Sequence, residues 1–140
     1  MSGKGLYAQF ETNTNLEQDG VDLEYVNGDD TQVITIARAG GSNSRYTRAI
    51  DRLTKPHRRH ISNGSMDPKQ MEKILVEVYA ESVVLKWSGV TDREGVELPF
   101  TKANAIKLFT DLPDLFRDVK EQAENMQLFR VEMLDEAAKN

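Results

Sequence analysis

Residues 67–87, DPKQMEKILVEVYAESVVLKW, form the most hydrophobic stretch of the chain, and their reading decides the fold. Asp67 is a good helix cap, and Pro68 suits the first turn because its missing N–H would have no intrahelical partner there. Met71, Ile74, Leu75, Val78 and Leu85 make one apolar stripe; Val76, Tyr79, Ala80, Val83 and Trp87 make a second. Two stripes imply burial on more than one side, so the spacing predicts a central core helix over about 68–87.

Upstream, Tyr46, Ala49, Ile50 and Leu53 give one apolar face to a helix over about 42–55, capped by Ser42 or Asn43. Pro56 interrupts it, with a further turn of helix expected over 57–61. Gly40-Gly41 closes a strand over 31–37, where β-branched Val33, Ile34, Thr35 and Ile36 cluster. Residues 1–30 read as a polar arm that packs only against a partner, or as short strands around Gly20 and the turn Asn27-Gly28-Asp29-Asp30.

Downstream, residues 88–98 read as a turn-rich excursion with Asp92-Arg93-Glu94-Gly95 at its tip. Thr101 caps a short helix containing Ala105, Ile106, Leu108 and Phe109. A last helix over about 112–138 carries Leu112, Leu115, Phe116, Val119, Ala123 and Met126 on one face. The expected fold is therefore mainly α: a compact helical domain of about four helices over 31–140, with a small N-terminal β-containing portion.

Composition bounds the function. The 140 residues suit one domain, and 39% hydrophobic content sustains a core beneath a surface carrying 29% charged residues. No run approaches the roughly 20 apolar residues of a membrane span. The opening Met-Ser-Gly-Lys-Gly-Leu-Tyr lacks the apolar centre of a secretory signal, so a cytoplasmic protein is expected. The absence of cysteine removes disulfides, thiolate nucleophiles and Cys-ligated metals together. The net charge of −5 is segregated: residues 1–31 carry −6, residues 42–60 carry +5 and residues 111–140 carry −4. The basic segment either neutralises the acidic ends on folding or faces a partner.

Little in the sequence looks catalytic. His57 and His60 lie three apart within a run of arginines and bring no further ligands, so no metal is expected. No nucleophile-elbow sequence surrounds any serine. Gly40-Gly41-Ser42-Asn43 stands where backbone amides can hold an anion, but it matches neither phosphate-loop pattern and reads first as a tight turn and cap. The reading is a non-enzyme with no cofactor. The candidate partner-binding residues are Arg45, Arg48, Arg52 and Arg59, followed by the late apolar residues Leu128, Phe129, Val131 and Leu134, which fall partly off the last helix's main stripe and suggest client binding or self-association. Nucleic acid is disfavoured, because Tyr46 belongs to the core stripe and leaves the basic segment without stacking aromatics.

A family resemblance runs through residues 6–135. Leu6-Tyr7-Ala8-Gln9-Phe10-Glu11-Thr12, Leu23-Glu24-Tyr25 and Ile36-Ala37-Arg38-Ala39-Gly40-Gly41-Ser42-Asn43 resemble the N-terminal half of tail assembly chaperones from long-tailed bacteriophages. Lys55-Pro56-His57-Arg58-Arg59, Val78-Tyr79-Ala80, Leu98-Pro99-Phe100-Thr101 and the stretch from Leu108 to Phe116 continue it. The resemblance implies a protein of the host cell cytoplasm that binds the tape measure protein, keeps it soluble while the tail tube assembles, and is not retained in the virion. It also implies a longer form made by programmed frameshifting that meets the tail tube protein. Ala138-Lys139-Asn140 can be encoded by the slippery run such a shift needs. Two alternatives are a tail-completion or connector protein of the virion, and a nucleic-acid-binding regulator acting through residues 42–60.

Overall fold

The computed structural model describes residues 4–130. Two short helices open the chain, α1 (Gly5–Phe10) and α2 (Thr14–Asp19). A hairpin follows, β1 (Val21–Asn27) and β2 (Asp30–Ile36), then α3 (Ser44–Thr54), a single 3-10 turn at Lys55–His57 and α4 (Arg58–Ser62). The centre is α5 (Pro68–Ser82), which runs into β3 (Val84–Ser88). After a long excursion come α6 (Lys102–Asp111), α7 (Pro113–Glu124) and a 3-10 turn at Met126–Phe129.

Four longer helices and one small sheet make the fold mainly α, but the sheet is not confined to the N-terminal portion. Its order is β1-β2-β3, all antiparallel, with the third strand drawn from mid-chain. The hairpin pairs Asn27 with Asp30 across a two-residue turn. Gly28, at φ +64°, supplies the positive φ that the first position of such a turn demands.

The central helix is shorter than its apolar stripes suggest. It stops at Ser82, whose buried hydroxyl donates to the Val78 carbonyl at 2.6 Å, and Val84–Ser88 pairs with β2 instead. Val84 favours the extended state through its branched Cβ, and β2 offers it an open edge. Ile34 lies opposite Trp87, and a register shift between Thr35 and Ile36 leaves Leu85 without a cross-strand partner. Trp87 thus belongs to the sheet. Its indole N–H donates to the Leu98 carbonyl at 2.8 Å, and its ring packs edge-on against Phe100.

The core lies between the helices and the inner sheet face. Tyr79 on α5 is its hub, packed edge-on against Tyr46 of α3 and Phe116 of α7, with Phe109 of α6 next to Phe116. The Asp67 and Thr101 caps form as the sequence predicts, each accepting a backbone N–H of its helix's first turn. The Asp92 carboxylate likewise receives the amides of Glu94 and Val96 and closes the tip of the excursion.

The last helix also ends early. It breaks at Asn125, whose side chain accepts the Gln127 amide and starts a new turn. That turn carries Phe129 inward until it is fully buried. The expected continuation toward residue 138 lies outside the described residues from 131 onward.

Candidate binding surfaces

The glycine run does hold an anion, and the anion is the chain's own. Glu17 on α2 is 2% exposed, with Oε2 2.5 Å from the Arg38 guanidinium. The Ser42 backbone N–H donates to its Oε1 at 3.1 Å. Gly41, at φ +53°, passes so close that a Cβ there would collide with the carboxylate. Burial alone would raise the Glu17 carboxyl, but hydrogen bonds from Arg38, Ser42 and Thr12 outweigh it and hold the group below its ordinary value. Asn43 is fully buried at the N-cap position, yet its side chain does not cap α3. Its Nδ2 donates instead to the carbonyls of Arg38 and Ser82, both at 2.9 Å. The run Ala37–Asn43 is therefore a structural knot joining α2, the loop after β2, and the end of α5. Glu17 has little local sequence signal, because Arg38 and the Ser42 amide lie 21 and 25 residues away.

Arg45, Arg48, Arg52, Lys55 and Arg59 recur in steps of three and four, so they form one exposed stripe along α3 and α4. The structure divides them. Arg45 donates to the Gln18 carbonyl at 2.9 Å, and Arg52 grips both oxygens of Glu81 at 2.5 and 2.6 Å. Glu81 also receives Lys102 at 2.8 Å, which ties α3, α5 and α6 together at the surface. Off the stripe, Arg58 pairs with Asp51. Among the described residues, Arg48, Lys55 and Arg59 make no side-chain hydrogen bond or ion pair. Of the six cations of the basic segment, two are thus neutralised internally, Arg45 is held by a backbone carbonyl, and three stay open. His57 is half-buried, His60 is exposed with Nδ1 2.9 Å from the Ser65 hydroxyl, and no metal-ligand cluster occurs among the described residues.

Large apolar side chains are exposed singly at Val26, Ile61 and Val96, and two further places stand out. On α1, Leu6, Tyr7 and Phe10 are 71%, 75% and 62% exposed. This helix is anchored from behind: Arg130 donates to the Ala8 carbonyl at 3.0 Å, Thr12 bridges to Arg130, and the Asn13 amide donates to the Phe129 carbonyl at 2.8 Å. The second place is the elbow between α6 and α7. Leu108 and the half-exposed Leu112 line two adjoining hollows of about 200 and 270 Å³, one reaching Leu98 and the other Tyr25, Val90 and Leu115.

The late apolar candidates fare differently. Phe129 is fully buried, so the expectation that it faces a partner is corrected: it closes the core beneath α2. Leu128 is half-buried, and Val131 and Leu134 lie outside the described residues. No described helix is long and apolar enough to cross a membrane.

A family model described as YdaY prophage protein matches residues 41–140, a span that holds the basic stripe and the α6–α7 elbow but not α1, α2 or the hairpin. No curated protein and no solved structure matches the chain.

Proposed function

The chain belongs to the YdaY prophage protein family, and from that phage setting we propose that it is a tail assembly chaperone. In this reading it binds the tape measure protein in the host cytoplasm, keeps it soluble while the tail tube forms, and leaves before the particle is complete. It performs no catalysis. One observation carries the reading: Leu6, Tyr7 and Phe10 stand exposed together on a helix that the rest of the fold anchors but does not cover. Such a patch is costly to leave in water and suits reversible contact with an apolar client. A longer frameshifted form would carry a second partner, the tail tube protein.

The test is co-expression with the tape measure protein of the same phage, followed by its soluble fraction. Wild-type chain is expected to raise that fraction several-fold, and Leu6→Ser/Tyr7→Ser/Phe10→Ser to lose most of the gain without losing its own helicity. A tape measure protein that stays insoluble beside the wild-type chain sinks the reading. Finding the chain at fixed stoichiometry in purified particles would favour a connector instead.

A further inference from the structure

The division of the cations on α3 and α4 leaves a strip with a defined shape. Arg48, Lys55 and Arg59 lie seven and four residues apart along nearly continuous helix, so their charges span about 16 Å at 1.5 Å per residue. Beside them Thr54, Arg58, Arg59, Ile61 and Ser62 form a shallow hollow, with Ile61 39% exposed. A row of unengaged cations next to an apolar dip is complementary to a helix with carboxylates at the same intervals and one apolar side chain among them.

We infer that Arg48, Lys55, Arg59 and Ile61 form a docking strip for an acidic amphipathic helix of another protein. The identity of that helix rests on the chaperone reading, in which it belongs to the tape measure protein; the strip itself does not. Nucleic acid fits less well. Tyr46, the aromatic of α3, is turned inward against Tyr79 and offers no stacking face.

The probe is a synthetic 18-residue helical peptide with Glu at three positions spaced seven and four apart and a single Leu between them. A scrambled peptide of equal composition and a 20-nucleotide single-stranded DNA serve as competitors. Wild-type chain is expected to bind the ordered peptide at least tenfold more tightly than the scrambled one. Arg48→Glu/Lys55→Glu/Arg59→Glu should lose at least tenfold, while Lys69→Glu/Lys73→Glu/Lys86→Glu, an equal charge change at exposed lysines elsewhere, should lose less than twofold. If the reversal variant fails to fold, Arg48→Gln/Lys55→Gln/Arg59→Gln replaces it with the same expectation. Equal losses in both charge sets, equal binding of the scrambled peptide, or tighter binding of the DNA overturns the proposal. So does self-association of the wild-type chain that the strip substitutions abolish, since the occupant is then a second copy. Peptide binding as expected, beside a tape measure protein that never becomes soluble, would keep the strip and remove the chaperone reading.

Discussion

Glu17 and Glu81 show how one residue type serves two purposes in this chain. Glu17 is buried, and its charge survives because Arg38 and the Ser42 amide replace the water it has lost. Glu81 sits at the surface, where Arg52 first and Lys102 next hold its carboxyl below the ordinary value of 4.5. A lowered carboxyl binds its proton less readily in the folded than in the unfolded chain. The stability it contributes is therefore complete above the ordinary value and is lost as pH falls through the folded one. Melting temperature should accordingly be level at neutral pH and drop on acidification below about pH 4.5. Glu17→Gln is expected to cost about 1–3 kcal/mol at pH 7, because it leaves a partly covered Arg38 without its acceptor, and to flatten that acid limb. A melt series that keeps the wild-type slope in Glu17→Gln would remove Glu17 from the cause.

At the scale of elements, α3 and α5 meet through Tyr46 and Tyr79 and also through Asn43, which reaches from the start of one helix to the last carbonyl of the other. Asn43→Ala is expected to leave two carbonyls without their donor and to cost about 1–3 kcal/mol, read by urea unfolding at unchanged m-value. A loss below a few tenths would mean that water replaces the amide. The apolar stripes foretold α3, α6 and all of α7, which they overran past Glu124, because those helices bury a single face. They overran α5 because Val83, Val84, Leu85 and Trp87 satisfy a helical period and a buried strand equally well. The deciding partner, the open edge of β2, lies some fifty residues earlier and leaves no local trace.

For the whole molecule, the two ends of the described chain close on each other. The bridge from Thr12 to Arg130, the Asn13–Phe129 hydrogen bond and the burial of Phe129 make the last turn the floor on which α1 and α2 rest. Ending the chain after Asn125 removes that floor. The truncated protein is expected to lose about 3–5 kcal/mol, the scale of deleting a buried phenylalanine, and to lose amide protection in residues 5–19 first. Hydrogen exchange that leaves those amides as protected as before would show that α1 and α2 hold by themselves.

What the sequence determined by itself was whatever depends on near neighbours. The hairpin turn at Gly28, the caps at Asp67 and Thr101, the tip at Asp92 and the basic stripe all follow from residues within a few positions of one another. The absence of cysteine chemistry needs only a count. Tertiary structure alone decided which charges and apolar groups remain available. Arg52 is taken up by Glu81 and Arg48 is not; Phe129 is buried and Leu6 is exposed. Availability depends on what approaches from distant parts of the chain, and no periodicity encodes that. The resemblance run shows both sides: Gly40-Gly41-Ser42-Asn43 reads from the sequence first as a tight turn, and only the fold could set the Glu17 carboxylate against it.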